Sequence, residues 1–374
     1  MKILILTGKF GMGHMKAALA IKEELTKSEE AHDIEIIDWI EYLTPHCARY
    51  IYGSYTSLIR RNTFFYNRRY IQLENSHTDR KPEQALACSL RMSRLIREKQ
   101  PDLIISVLAY CSKAVSYYKA ISGCRIPLIT CITDITGHSE WINRHTNAYA
   151  AGSEEVREFL IQKGVSEEQI FITGIPVRDK FKASASKTKS RPKLLLAGGG
   201  LGILPKNLDF YKLLNASVPA DITVITGNNQ KLRQKLQGRF DNIQVLGYVD
   251  NMDTYLHEAD LIVTKPGGIT TFEAIHSETP IIALNPKLHQ EKYNADFIVR
   301  HHIGEQLMIF DDYQTVMDIA RFINNPARIE YCKSHMRFMK EQLEACPLNT
   351  VIHAVTHTYM LGGTLPHERY SFNF

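Results

Sequence analysis

The sequence predicts an α/β protein built from two doubly wound domains. Short, almost continuously apolar runs alternate with segments of helical period, and this alternation stops once and then restarts. Buried parallel strands give such runs because helices cover both faces of their sheet. The runs of the first half are KILILT, IEIID, PDLIISV, IPLITCITD, AYAAGS and IFITGIP, and those of the second half are KLLLAGGGLG, ITVITGNN, IQVLGYV, LIVTKPGG and PIIALNP.

The break between the two series is the polar segment KFKASASKTKSRP, which is rich in Ser and Lys. It has no apolar period, which is typical of a linker. We therefore expect a first domain over residues 1–180, a linker over 181–192 and a second domain over 193–335. The helical residues 336–374 either complete the second domain or pack back on the first.

The bulk composition excludes several classes of protein. The 374 residues are 44% hydrophobic and 23% charged, as expected of a soluble two-domain protein. The net charge of +5 permits an anionic substrate or membrane surface, and no RNA-binding motif supports a nucleic-acid partner. The seven cysteines include no C-x-x-C pair, so a reducing cytoplasm fits best. No run approaches the roughly 18 apolar residues of a spanning helix, so any membrane contact is expected to be peripheral.

The first glycine cluster, GKFGMGH, follows the first strand and opens a helix, where open α/β sheets bind ligands. His14 at this entrance can take a proton from a hydroxyl at neutral pH and is a candidate general base. A solvent-facing histidine in a tight turn is the alternative. The spacing G-x-x-G-x-G-H differs from the nicotinamide fingerprint G-x-G-x-x-G, but Asp38 ends the second strand as that fingerprint requires, so a nicotinamide oxidoreductase stays open.

A second polar cluster, CITDITGHSEW, ends a later apolar strand. Asp134 supplies a carboxylate, His138 an imidazole and Trp141 a flat apolar wall, a mixture that suits a ligand with hydroxyl groups. Taken singly, the same residues are explained by an N-capping aspartate and a half-buried tryptophan. Arg178, in GIPVRDKF, either reaches a phosphate or pairs with a surface carboxylate, and the sequence leaves both open.

The segment TKPGGITTFEAI lies between two apolar strands of the second half. Its adjacent glycines allow close approach of the backbone, and the first amides of a helix are unpaired donors, so the segment predicts a phosphate site. The glycines of AGGGLGI, including Gly199 and Gly200, offer further amides. Glu273 suits the two hydroxyls of a ribose, or is simply a residue that the helix dipole favours. The polar residues Gln290, Glu291 and Asn294 either bind sugar hydroxyls or lie in a solvated loop.

The segments GMGHMKAA, TDITGHSEW, ITGIPVR, TKPGGITTFEA and HQEKYNA resemble, in this order and spacing, those of the family of monogalactosyldiacylglycerol synthases and bacterial processive diacylglycerol glucosyltransferases. The resemblance runs from Met1 to about residue 325. It implies a GT-B fold, in which two Rossmann-like domains face a central cleft, and a UDP-sugar-dependent hexosyltransferase that inverts the anomeric carbon. It also implies that no metal or other cofactor is bound, and the sequence has no D-x-D triplet.

The same resemblance implies roles for individual residues. His14 and Asp134 are the candidates for the base and for positioning the acceptor, and from the residues themselves we expect Gly13, His138 and Trp141 to contact that acceptor. The resemblance places the donor UDP-sugar on Gly267, Gly268, Ile269, Thr270, Glu273, Gln290, Glu291 and Asn294. Of these, Gln290, Glu291 and Asn294 would take the hexose. The residues themselves add Arg178, Gly199 and Gly200 to the donor site.

Residues 44–99 contain eleven Lys or Arg and four Asp or Glu, interleaved with aromatic residues. The aromatic residues are Tyr50, Tyr52, Tyr55, Phe64, Phe65, Tyr66 and Tyr70. This pattern predicts contact with an anionic membrane surface, with an inward-packed helix pair as the alternative. We therefore expect a cytoplasmic enzyme, peripheral at the inner face of the cell membrane, with a lipid acceptor such as diacylglycerol.

Other functions stay open. The segment LAYCSKAVSYY stands where relatives usually carry a proline, so a soluble hydroxylated metabolite remains a candidate acceptor. A UDP-sugar epimerase would share the fold and the donor site but would need no acceptor. A sensor without catalytic activity would bind the donor and release no diphosphate.

Overall fold

The structure is a computed structural model that describes residues 1–61, 63–74, 76, 80–182, 191–307 and 311–360. The chain divides into two compact units. The first unit contains Met1–Arg178 and Leu343–Phe374, and the second contains Asp179–Gln342. Residues 183–190 of the predicted linker lie outside the described residues.

Each unit contains one six-stranded sheet in which all neighbouring strands run parallel. The strands of the first unit are β1 (Lys2–Thr7), β2 (Asp33–Asp38), β3 (Leu103–Ser106), β4 (Leu128–Cys131), β5 (Ala148–Ala151) and β6 (Ile170–Ile172). Those of the second are β7 (Lys193–Ala197), β8 (Asp221–Ile225), β9 (Ile243–Leu246), β10 (Leu261–Thr264), β11 (Ile281–Ala283) and β12 (Gly304–Gln306). The predicted fold of two doubly wound α/β domains is confirmed.

Helices connect these strands, as parallel pairing requires. Up to Gln162 they are α1 (Gly13–Thr26), α2 (Trp39–Leu43), α3 (Ala48–Arg61), α4 (Thr63–Glu74), α5 (Ala85–Lys99), α6 (Ala109–Ser122) and α7 (Glu154–Gln162). After Ala197 they are α8 (Leu208–Ser217), α9 (Gln230–Leu236), α10 (Met252–Glu258), α11 (Gly268–His276), α12 (His289–Arg300), α13 (Asp312–Ile323), α14 (Pro326–Glu344) and α15 (Leu348–Met360). Helix α15 packs on β5 and α1 of the first unit, and Glu24 accepts a hydrogen bond from the Leu348 amide.

The strand orders place a topological switch point in each sheet. The first sheet has the order β2-β1-β3-β4-β5-β6 and the second the order β12-β11-β10-β7-β8-β9. The chain adds strands on one side of β1 and then on the other side, so the loops after β1 and β3 diverge. The same reversal occurs between β10 and β7. Ligands of doubly wound proteins bind at the carboxyl ends of strands at such points.

Helix α6 of the first unit carries a buried lysine whose hydrogen-bond partner is uncharged. Lys119, on α6, is 7% exposed, and its Nζ donates to Oδ1 of Asn147 at 2.7 Å. Burial lowers the pKa of Lys119 from 10.5 to about 8 because the charged form loses its hydration.

We expect Lys119→Met to remove a pH dependence of stability. The folded-state pKa lies below the unfolded-state value, so the first unit gains stability as the pH rises from about 8 to 10.5, by about 3 kcal/mol in total. Both tryptophans, Trp39 and Trp141, belong to this unit, so urea unfolding followed by tryptophan fluorescence reports it.

The gain in unfolding free energy over this pH range should be about 3 kcal/mol larger for the wild type than for Lys119→Met. The matched control is Lys22→Met, at an exposed lysine of α1, which should follow the wild type. Parallel curves for the wild type and Lys119→Met would contradict a buried Lys119 with a lowered pKa.

Candidate functional site

His14 lies in the first turn of α1, which follows β1, and its side chain contacts the loops after β3 and β4. Its Nδ1 atom is 2.9 Å from the carbonyl oxygen of Val107, after β3, and 2.9 Å from Oγ1 of Thr133, after β4. Because a carbonyl only accepts, Nδ1 carries the ring proton and Nε2 is the basic nitrogen. Gly13 is the first residue of the same helix.

The surroundings of His14 favour its neutral form. Burial lowers the pKa of His14 below 6.5, while the charge of Asp134 and the hydrogen bond to Val107 oppose this shift. The imidazole is therefore neutral at pH 7, with Nε2 unprotonated. This form can accept a proton from a hydroxyl group.

The carboxylate of Asp134 is oriented by a buried tryptophan. Its Oδ2 accepts a hydrogen bond of 2.8 Å from the indole nitrogen of Trp141, which is only 2% exposed. The same carboxylate contributes to the raised pKa of Tyr66, whose main cause is burial. Asp134 thus acts electrostatically on both His14 and Tyr66. The predicted contact of Trp141 with an acceptor stays a prediction.

His138 joins the loop after β4 to helix α4. Its Nδ1 accepts the amide of Glu140 at 3.2 Å, so Nε2 donates to the carbonyl of Tyr70, also at 3.2 Å. The imidazole is 4% exposed and its ring centroid lies 4.4 Å from that of Tyr70. Both ring nitrogens are therefore engaged by the backbone, and the predicted contact of His138 with an acceptor stays a prediction.

A row of aromatic rings leads from the glycine loop after β1 to α4. Phe10 packs edge-on against Tyr52 and Tyr55 of α3, with centroid distances of 5.0 Å each. Tyr55 packs in turn against Tyr66 of α4 at 6.3 Å. Because the charge of Asp134 acts on Tyr66, the row ends near this carboxylate.

Arg178 lies at the surface of the first unit. Its Nε is 2.9 Å from Oε2 of Glu23 on α1, and 44% of its side chain is exposed. Of the two alternatives that the sequence left open, the pair with a surface carboxylate is present in the structure. Phosphate binding by Arg178 stays a prediction.

In the second unit, the turn after β7 requires glycine. Gly199 and Gly202 have φ angles of +65° and +62°. A Cβ added at Gly202 would lie 1.9 Å from the carbonyl oxygen of Thr226, which no side chain allows. Gly200 accepts the amide of Asn228 through its carbonyl. The three consecutive glycines therefore form a tight turn at the carboxyl end of β7.

The turn after β10 leads into α11 without a side-chain cap. Gly267 is the N-cap residue, and its carbonyl accepts the amide of Thr271 at 2.9 Å. The helix therefore begins with the amides of Gly268, Ile269 and Thr270, which have no partner within it. These three donors and the positive end of the helix dipole favour an anion at this entrance.

Lys265 is a cation of this region that our sequence analysis missed. A Cβ added at Gly199 would lie 3.4 Å from its Cε, and one added at Gly267 would lie 4.0 Å from its Nζ. The ammonium is therefore located between the two glycine turns, and Oε1 of Glu291 lies 3.0 Å from it. The signal was the lysine of TKPGG, directly after a buried strand and before a glycine pair.

The other predicted donor residues lie on α11 and α12. Glu273 is buried within α11 at 3% exposure, and Gln290 is half-buried in the first turn of α12. Asn294 is buried and donates from Nδ2 to the carbonyl of Pro266 at 2.9 Å. Apart from Arg178, the structure thus gathers the residues predicted for the diphosphate, the ribose and the hexose at the ends of β7, β10 and β11.

Within the described ranges, no group of three or more His, Cys, Asp or Glu side chains is placed to hold a metal ion. Among the helices described, none is long and apolar enough to cross a membrane.

Two family models match the chain. Residues 14–177 match the model described as monogalactosyldiacylglycerol (MGDG) synthase, and residues 206–327 match the glycosyltransferase family 28 C-terminal domain. A processive diacylglycerol beta-glucosyltransferase of Staphylococcus epidermidis is 29% identical over 344 residues, which cover 87% of this chain and 85% of that protein.

Solved structures share the fold. The MurG structure from Acinetobacter baumannii has a TM-score of 0.60 at 13% identity, covering 96% of this chain and 99% of that one. The UDP-GlcNAc 2-epimerase of Neisseria meningitidis, bound to UDP-GlcNAc, has a TM-score of 0.57 at 14% identity, covering 92% of this chain and 100% of that one. At these identities the likeness shows the fold alone.

The fold and the family models define the class: the chain is a glycosyltransferase with the GT-B fold, of the hexosyltransferase type. Its first unit is similar to monogalactosyldiacylglycerol synthases, and most of the chain is similar to processive diacylglycerol glucosyltransferases, which is the resemblance that its motifs predicted.

Proposed function

We propose that the protein transfers a hexose from a UDP-sugar to a hydroxyl group of a lipid such as diacylglycerol, with inversion at the anomeric carbon and without a metal ion. The observation that carries the proposal is the α11 entrance, where unpaired helix amides and the Lys265 ammonium lie together. The diacylglycerol glucosyltransferase of Staphylococcus epidermidis supports the lipid acceptor, and the UDP-GlcNAc of the epimerase structure supports the donor.

The donor would lie along the ends of β7, β10 and β11. The diphosphate accepts hydrogen bonds from the amides that open α11, Glu273 binds the ribose hydroxyls, and Gln290 binds the hexose. Negative charge grows on the diphosphate as the sugar leaves, and preorganised amides stabilise such charge in a site from which water is excluded. Lys265, which is paired with Glu291, adds an ammonium donor beside these amides.

On the acceptor side, the lipid hydroxyl would give its proton to Nε2 of His14. Its oxygen attacks the anomeric carbon from the face opposite the diphosphate, so the new carbon–oxygen bond forms as the bond to the diphosphate breaks. UDP departs and the proton stays on His14. The carboxylate of Asp134 favours this imidazolium because it raises the pKa of His14.

We further propose that helices α3, α4 and α5 dock on the cytoplasmic face of an anionic membrane, where the seven free thiols stay reduced. Large apolar side chains are exposed on these helices, among them Phe64 at 67% and Phe65 at 61%. The other exposed apolar side chains of α3 to α5 are Tyr50, Leu58, Ile71, Leu86 and Leu90. Arg68 and Arg69 are exposed on the same helix as the two phenylalanines and suit anionic headgroups.

The test of the function is a transfer assay. Purified protein is incubated with UDP-glucose, UDP-galactose or UDP-GlcNAc, with and without liposomes that contain diacylglycerol, and each reaction is run both with and without EDTA. We expect a glycolipid of the opposite anomeric configuration to that of the donor, and release of UDP that depends on the liposomes. Conversion of the donor without liposomes would indicate an epimerase, and activity that EDTA abolishes would contradict the metal-free mechanism.

The pH dependence of kcat/KM tests the base. A base must be unprotonated, so kcat/KM falls as the pH drops through the pKa of the base. For His14, burial places this acidic limb of the pH profile below pH 6.5. Asp134→Asn removes an influence that raises the pKa, so the limb should move to still lower pH. His14→Gln should reduce kcat about 100-fold or more and lose the limb, whereas the exposed His46→Gln should behave as the wild type. A limb that persists in His14→Gln and vanishes in Asp134→Asn would make Asp134 the base.

Liposome sedimentation tests the membrane surface. The double variant Phe64→Ser, Phe65→Ser should bind anionic liposomes at least roughly tenfold more weakly, because two apolar side chains no longer insert. Phe338→Ser is the matched control, since Phe338 is 60% exposed on α14 of the second unit. Equal losses in both variants, or none in the double variant, would contradict the proposed surface.

A further inference from the structure

The carboxylate of Glu291 is fully engaged within the protein. Its Oε2 accepts the amides of Lys287 and Leu288, both at 3.2 Å, and so caps the start of α12. Its Oε1 accepts from Nζ of Lys265 at 3.0 Å. The Glu291 side chain is 7% exposed, so it is held between these groups and turned away from solvent.

Asn294 makes a second contact to the same loop. It lies three residues after Glu291, and positions i and i+3 share one face of a helix. Its Nδ2 donates to the carbonyl of Pro266 at 2.9 Å, and the residue is 6% exposed. One face of α12 therefore holds Lys265 and Pro266, the two residues that precede the N-cap Gly267.

These contacts fix the groups that would meet the diphosphate. A lysine side chain has several rotatable bonds, and ordering it on binding costs up to about 2 kcal/mol. The contact with Glu291 orders the ammonium before the donor binds. The bond from Asn294 holds the Pro266 carbonyl, and with it the peptide that leads into the α11 entrance.

We infer that Glu291 and Asn294 are positioning residues for the diphosphate, which act through Lys265 and Pro266, and that they do not bind the hexose. This inference rests on the proposed function, because it assumes that the α11 entrance holds the diphosphate. It assigns the hexose contact of α12 to Gln290 alone among the three polar residues predicted for it.

The experiment compares three ligands by calorimetry: uridine, UDP and UDP-glucose. Gln also fits the third helical position of a capping box, so Glu291→Gln keeps the cap of α12 and removes the charge that holds Lys265. We expect UDP and UDP-glucose to bind more weakly by the same factor, about tenfold, while uridine is unaffected. If Glu291 bound the hexose, Glu291→Gln would instead weaken the binding of UDP-glucose and leave the binding of UDP unchanged. This result would overturn the inference.

Gln290→Ala is the matched comparison, because Gln290 precedes Glu291 on the same turn. Gln290→Ala should weaken the binding of UDP-glucose and leave the binding of UDP unchanged, whereas Glu291→Gln should weaken the binding of both. Loss of UDP affinity in Gln290→Ala equal to that in Glu291→Gln would show a general disturbance of α12 and would overturn the inference.

A double-mutant cycle tests whether Glu291 acts through Lys265. Lys265→Met removes the same contact from the other side, leaves the cap in place and should weaken UDP at least as much. Adding Glu291→Gln to Lys265→Met should then cause no further loss of UDP affinity. Additive losses, or full UDP affinity in Lys265→Met, would overturn the inference.

Ligand binding by the wild type distinguishes failure of the proposed function from failure of the inference alone. A wild type that binds neither UDP nor UDP-glucose would overturn the proposed function and the inference with it. A wild type that binds both, with Glu291→Gln impaired only for UDP-glucose, would leave the function standing and overturn the inference alone.

Discussion

Parallel strands of a sheet all end at one edge, and this constraint decides where the candidate residues of the protein lie. Each parallel pair needs a crossover, so polar turns collect at the carboxyl edge. In the first unit the order of strand addition reverses between β1 and β3, and the bond from His14 to Val107 bridges that point. In the second unit the reversal lies between β10 and β7, where Lys265 stands beside the turn of Gly199.

At both edges a neighbouring group holds a candidate site residue in place. A backbone carbonyl fixes the tautomer of His14, the indole of Trp141 orients Asp134, and Glu291 holds Lys265. In each case the ordering occurs when the protein folds, so it is not repeated when a substrate binds. Groups ordered in this way stabilise developing charge better than groups that must first rearrange. The proposed sugar transfer would therefore depend on local contacts that are made within each unit.

Periodicity and turn chemistry predicted the two sheets and the edge at which His14, Asp134 and the glycine turns lie, because apolar strands and glycines leave local signals. Contacts between distant residues leave none. Val107 lies 93 residues from His14, and the pair of Arg178 with Glu23 spans 155 residues, so neither partner was predictable. The sequence did not predict a role for Lys265, because a lysine beside glycines is common. Only the fold shows that its ammonium lies between the two glycine turns.

The proposed function requires the donor diphosphate to bind at the α11 entrance beside Lys265. A crystal structure with bound UDP shows whether it does. We expect diphosphate oxygens within hydrogen-bond distance of the Gly268 and Ile269 amides and of the Lys265 ammonium, with the ribose hydroxyls at Glu273. Diphosphate density at any other edge of the molecule, without contact to these groups, would contradict it.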